Sequence, residues 1–233
     1  MEVHEFLSQL DKRVHKYDLL CHPFYKAWFA GELTQEDLRQ YAEDYYHHVR
    51  AFPGYLAQLG IRLEEGELRR AVLANMTDEK GGESAFGEPG ASHAELWLDF
   101  VQGVGGKRVT ARKPVKEVRE LVAWFQRISS EGTPEEALTA FYAYESQVPR
   151  IAADKDRGLR DVYGASAKAR NYFTIHANAD VLHAQVWRKQ LQKRIAAHPE
   201  EAERALGAAE AAAKALWNAL DGIEARRNAA VLA

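Results

Sequence analysis

Apolar residues recur three and four positions apart through nearly every segment of this 233-residue chain, and the period-two alternation of a half-buried strand is scarce. Helices bury such a pattern along one face, so the chain reads as all-α. Helices are predicted near 3–19, 23–30, 35–51, 53–61, 65–78, 93–104, 115–130, 134–154, 164–195 and 199–230. Pro23, Pro53, Pro89, Pro114 and Pro134 stand at predicted starts or in connectors, and Thr34 with Asp37 reads as an N-cap with an acidic first turn. The alanine-rich stretch from Ala202 to Ala215 has high helix propensity and reads as a covering helix. No linker or repeat divides the chain, which reads as one domain over 1–233, long enough to bury roughly 70% of its unfolded surface.

The balance of 31 Lys and Arg against 34 Asp and Glu gives a formal charge of -3, with the signs interspersed. Neither nucleic acid nor an anionic membrane surface is an expected partner. The charged segment from Glu2 to Arg13 lacks a signal-like apolar run, and no stretch approaches a membrane span, so a cytoplasmic location is expected. The one cysteine, Cys21, excludes an internal disulfide framework and a cysteine-based zinc site. Cys21 is expected to pack as a small hydrophobe.

One predicted helix breaks its own apolar pattern. His176, Asp180 and His183 stand four and then three positions apart, which stacks them on one face between Tyr172 and Trp187. Burying two imidazoles and a carboxylate there is costly unless they are paired or hold a cation. Glu145 interrupts a similar face made by Phe141, Tyr144 and Val148, and Pro149 four residues later predicts a kink or bulge at that turn. Glu79 ends another helix, and Ser92 with Glu95 resembles a capping box that sets His93 in the first turn of the next.

Glu79, His93, Glu145, His176, Asp180 and His183 together form a dinuclear ligand set. Nitrogen and oxygen donors without thiolate suit iron or manganese. A single catalytic zinc needs only three of them, so zinc-dependent hydrolysis stays open. Asp44 and His47 repeat the Asp-x-x-His spacing of Asp180 and His183, which leaves a ferritin-like alternative open. His47 and His48 then read as pocket residues or as packing and surface histidines.

Through His22-Pro23 with Tyr25 and Trp28, the Leu33 to His48 segment, Asn75 to Phe100, Tyr144-Glu145 and Tyr172 to His183, the chain resembles the CADD-like family (Chlamydia protein associating with death domains) of haem-oxygenase-like di-metal oxidases, related in fold to TenA and PqqC proteins. The resemblance implies a haem-oxygenase-like helical bundle with a di-metal carboxylate/histidine site in its core. It also implies an Fe/Fe or Mn/Fe centre on the six positions above, an external electron donor, dioxygen as co-substrate, and formation of para-aminobenzoate for folate. On the same resemblance Tyr25 matches a tyrosine that is consumed, Lys155 its amino donor, and Tyr41, Tyr144 and Tyr172 tyrosines that relay radicals or line the site. The glycine-rich connection between Glu79 and His93 departs from the family pattern, so Glu83 or Glu88 could replace Glu79 as the loop ligand. Other readings keep the fold: an oxidase acting on an external amino acid or fatty acid, a non-enzymatic interaction module, a cofactorless oxidase, or a hydrolase using Cys21. Homodimers are common in this fold, and a homodimer stays open.

Overall fold

The computed structural model describes residues 1–82, 90–107 and 113–231, and every regular element among them is helical. The helices are α1 Val3–His15, α2 Pro23–Ala30, α3 Gln35–Arg62, α4 Glu67–Glu79, α5 His93–Gly103, α6 Lys116–Glu131, α7 Pro134–Glu145, α8 Val148–Asp161, α9 Ala167–Ala197 and α10 Ala202–Val231, with 3₁₀ turns at Leu19–Cys21 and Pro199–Glu201. α9 packs against α5, α7 and α8, while α3 packs against α4, α5 and α6. α10 lies across α1, α6 and α7. Its Ala205, Ala209, Ala212 and Ala213 are fully buried, so the alanine-rich stretch is a packing helix whose small side chains permit close approach. Capping boxes start α3 at Thr34/Asp37, α5 at Ser92/Glu95 and α7 at Thr133/Glu136. The second of these makes His93 the first residue of α5.

Four local expectations change. The predicted helices 35–51 and 53–61 are the single helix α3, which carries Pro53 in its interior. Val49, Phe52, Tyr55 and Leu56 are buried around that proline, and their packing outweighs one missing backbone hydrogen bond. The predicted helix 134–154 is instead two helices: α7 stops at Glu145, and α8 begins at Val148 with Pro149 in its first turn. Gln147 occupies the break, accepting from Leu19 N at 3.0 Å and donating to Ala143 O at 3.0 Å. The predicted helix 3–19 ends at His15, and Asp18 then caps the 3₁₀ turn by accepting from Leu20 N. Cys21, on that turn, is exposed rather than packed. No described helix is long and apolar enough to cross a membrane.

Gly158 lets α8 lie directly on Trp28, because a Cβ there would come within 2.9 Å of Trp28 Nε1. Gly158→Ala should therefore lower the unfolding free energy by about 1–2 kcal/mol in denaturant titrations, overpacking outweighing the roughly 1 kcal/mol gained in helix propensity.

Candidate metal centre and lysine pocket

The ends of three helices converge on the middle of α9. Glu79 is the last residue of α4, Glu145 the last of α7 and His93 the first of α5. Facing them, α9 presents His176, Asp180 and His183 from the stripe between Tyr172 and Trp187, all of it buried. Donor atoms of Glu79, His93 and His176 lie within 4.8 Å of one another, as do those of Glu79, Glu145 and His183. Glu79 thus belongs to both groups, as a ligand bridging two ions would. Asp180 sits between the groups: its Oδ1 is 3.2 Å from His183 Nδ1, and it lines one internal cavity with Glu79 and His176. The structure brings Glu79, His93, Glu145, His176 and His183 into these two groups and places Asp180 beside His183; Glu83 and Glu88 lie outside the described residues.

The surrounding groups aim these side chains. His176 Nδ1 contacts Tyr172 O at 2.7 Å, which directs Nε2 away from the backbone and toward the carboxylates. His93 Nδ1 stands 3.0 Å from Glu79 Oε2 without hydrogen-bond alignment, the posture of two donors addressing a third partner. Glu145 accepts from Asn75 Nδ2 at 3.0 Å and from Trp187 Nε1. Asn75 and Trp187 were not singled out as functional from sequence, yet each stands four residues from a candidate ligand on its own helix, Glu79 and His183 respectively. Three buried carboxylates at one point require positive charge, and their ion pairs among the described residues run to His93 and His183. Burial opposes charge on His183, but Asp180, Asp78 and Glu145 outweigh it and raise its pKa. Burial likewise opposes charge on His93, and Glu79 prevails. His176 is pushed well down by burial and by its charged neighbours. Burial, reinforced by Glu145, raises Asp180 to about 7. Such a site, rich in oxygen and nitrogen donors and held together only by protons, fits divalent cations.

The second Asp-x-x-His motif does not join this centre. Asp44 pairs with Arg226 at 2.6 Å. His48 is fully buried among the rings of Tyr45, Phe52, Tyr55, Phe125 and Tyr144, and burial pushes its pKa down to about 3. It is a neutral packing residue, while His47, the histidine of the motif, is half-buried beside the Tyr46 ring; neither Asp44 nor His47 joins the ligand groups among the described residues, which speaks against the ferritin-like arrangement.

Beside the metal-type site lies a second buried polar group. Lys155 is 2% exposed, and its Nζ donates to Tyr25 Oη at 3.0 Å and to Tyr41 Oη. The same Nζ stands 4.2 Å from the ring centres of both tyrosines and 5.0 Å from Trp28. Among the described residues no carboxylate pairs with it, and burial drops its pKa well below the ordinary lysine range. Burial raises the phenols of Tyr25, Tyr41, Tyr144 and Tyr172 above theirs. Rings connect the two sites. Tyr172 stacks on His176 with centroids 3.8 Å apart and meets Trp97 edge-on at 4.7 Å; Trp97 lies 6.0 Å from Tyr41, which is 6.3 Å from Tyr25. The cavity between Tyr25, Lys155, Tyr144 and Tyr172 measures about 30 Å³, enough for one or two water-sized molecules.

Two outcomes follow. Metal binding must displace protons from His93, His183 and Asp180, so the affinity for Mn²⁺ should rise with pH through about 6–8, with proton release visible by calorimetry in buffers of different ionisation enthalpy. Lys155 has a folded pKa below its unfolded value, so the unfolded chain binds the extra proton and stability climbs as pH rises between the two. Lys155→Met should be more stable at pH 7 by about 1–2 kcal/mol after the lost hydrogen bonds are subtracted, or about 2–8 °C in Tm, with the advantage shrinking toward about pH 10.

Residues 39–217 match the family described as iron-containing redox enzyme. The chain is 36% identical over 219 residues to a 4-aminobenzoate synthase of Chlamydia trachomatis, an alignment spanning 93% of this chain and 90% of the relative. It is also 36% identical over 235 residues to a 4-aminobenzoate synthase of Nitrosomonas europaea, spanning 96% and 92%. A TenA homologue from Pseudomonas syringae shares the fold, with a TM-score of 0.77 at 17% identity over 96% of this chain and 95% of that one. With a helical bundle of this shape and buried ligand groups at its centre, the chain belongs to the haem-oxygenase-like family of iron-containing redox enzymes.

Proposed function

We propose that this protein is a metal- and oxygen-dependent para-aminobenzoate synthase that consumes its own Tyr25 and draws the amino group from Lys155. The observation that carries this reading is the buried Lys155 amine 3.0 Å from the Tyr25 hydroxyl, with burial lowering its pKa well below the ordinary lysine range. Family membership and relatives named 4-aminobenzoate synthase support it from a separate direction. Glu79, His93, Glu145, His176, Asp180 and His183 would hold two ions of iron, or of iron and manganese. When bound, such a centre supplies oxidising power drawn from dioxygen and an external electron donor.

Turning a tyrosine side chain into para-aminobenzoate keeps the ring and Cβ, breaks Cα–Cβ, oxidises Cβ to a carboxylate with dioxygen as the electron acceptor, and exchanges the phenol oxygen for nitrogen, forming a ring C–Nζ bond, breaking Cε–Nζ of Lys155 and releasing the phenol oxygen as water. Lys155 Nζ stands 3.0 Å from the hydroxyl oxygen borne by the carbon at which that exchange occurs, and burial, by lowering its pKa, favours the unprotonated form whose lone pair can attack. The raised phenol pKa of Tyr25 means that electron loss must be accompanied by loss of the hydroxyl proton, and Nζ and Tyr41 Oη are the partners in reach. Tyr172, Trp97 and Tyr41 line the aromatic path between the two sites, which suits stepwise electron transfer over short gaps, and Tyr144 lines the cavity beside it. The small cavity favours an internal substrate, since an external aromatic ring has no seat beside Lys155.

Intact-mass analysis with peptide mapping, before and after oxygen is admitted to metal-loaded, reduced protein, tests the proposal. Loss of the Tyr25 side chain, an altered Lys155 peptide and at most one para-aminobenzoate per chain are expected. Tyr25→Phe and Lys155→Arg should each cut product to below about 1% of the unaltered protein. Oxygen consumption with unchanged mass, or several products per chain, would overturn the internal-substrate reading.

A further inference from the structure

His183 has a partner at each ring nitrogen. Nδ1 faces the interior, 3.2 Å from Asp180 Oδ1 and 3.4 Å from Glu145 Oε1. Nε2, across the ring, stands 3.2 Å from Asp78 Oδ2. Asp78 immediately precedes Glu79 on the last turn of α4, and neighbouring helical residues project about 100° apart. Glu79 enters the core, while Asp78 reaches the outer side of α9 and is more exposed, at 16% of its side chain against 7% for His183. Asp78 and His183 both line two surface grooves, one bounded by Gly81, Gly82 and His93 and the other by Ala74, Asn75 and Val186. The carboxylate therefore stands where the ring meets solvent.

We propose that Asp78 is the positioning residue of one half of the centre: it accepts the Nε2–H of His183, fixes that tautomer, and so presents Nδ1 as the donor to the ion shared with Glu145. This proposal rests on the reading of a two-ion centre. Carboxylate–imidazole–metal arrangements set both ring orientation and ligand basicity, and losing the outer partner typically weakens metal binding 10- to 100-fold. Among the described residues the Asp78 carboxylate pairs with His183 and makes no ion pair with His93 or His176, the two histidines of the other half. His176 instead takes its orientation from the Tyr172 carbonyl. The effect of removing Asp78 should therefore fall on one ion.

The experiment is a Mn²⁺ titration of the full chain, unaltered and as Asp78→Ala and Asp78→Asn, together with long-range ¹H–¹⁵N NMR of ¹⁵N-histidine protein loaded with diamagnetic Zn²⁺. The unaltered protein should bind two ions, with His183 protonated at Nε2. Asp78→Ala should weaken one ion by about 10- to 100-fold and leave the other within about 3-fold, and Asp78→Asn, which still accepts a hydrogen bond, should recover part of the loss. Two ions bound by Asp78→Ala at unaltered affinity, or a His183 bound through Nε2, would overturn the role of Asp78 while leaving the centre intact. Equal weakening of both ions with a lowered Tm would assign Asp78 to holding α4 and also overturn it. An unaltered protein that binds neither ion would instead defeat the metal-centre reading, and this proposal with it.

Discussion

Glu79, Asp180 and Glu145 are buried within reach of one another where α4 and α7 end against α9, and the rest of the bundle is arranged to tolerate them. Two unit charges 4 Å apart repel by about 4 kcal/mol at an effective dielectric of 20. Three such carboxylates left uncompensated would rival the whole net stability of a domain, about 5–15 kcal/mol. Each compensating group depends on a particular piece of backbone. His93 is delivered by the capping box that starts α5, His183 and the Trp187 N–H by successive turns of α9, and the Asn75 amide by α4 one turn before Glu79. Protonation of Asp180 near neutral pH removes one charge more. Positive ions would replace all these partial remedies at once, and binding them would then add to the stability of the folded chain.

Lys155 poses the opposite problem, a buried amine paired with no carboxylate among the described residues, and the chain meets it by interrupting a helix. On a straight helix through Glu145, residue 155 would point about 80° away from the metal-facing side. Pro149 cannot continue the hydrogen bonding of α7, so the chain breaks at Ser146 and Gln147, and α8 sets off with a new phase. Gly158 then lets α8 settle on Trp28, and the lysine enters a pocket of rings that stabilise it through faces and hydroxyls and disfavour its protonation. Cysteine and charge composition contribute nothing to this chemistry; the backbone break does.

What could be read in the sequence was whatever violated a period. His176, Asp180 and His183 stood out because a helical stripe of otherwise apolar residues had been interrupted, and Glu145 stood out for the same reason. The capping boxes were legible because they are local and rest on two residues three apart. Lys155 was not legible from periodicity, since Asp154, Asp156 and Arg157 surround it with what looks like a solvated run; only family resemblance singled it out. Asp78 was hidden by its neighbour, because nothing local says which of two adjacent carboxylates faces the core. Pro53 misled in the other direction: its punctuation is real, but buried aromatic and aliphatic contacts on both sides carry α3 through it.

On the proposed function, one residue serves as both core and substrate. Tyr25 is fully buried, touches Phe24, Phe29 and Tyr41, and holds the Lys155 amine. An enzyme for an external substrate needs an open, solvated pocket and must give up packing to keep it. Here the substrate fills its own pocket, and proximity is guaranteed by covalent attachment rather than by binding. The consequence lies in the spent chain. Removing a buried aromatic side chain costs about 3–5 kcal/mol through lost transfer and the cavity left behind. Tyr41 would also lose a hydroxyl partner at 3.2 Å. On that reading a single turnover would leave a cavity in a close-packed core, and the broken Cα–Cβ bond would make the reaction irreversible for the molecule that performs it.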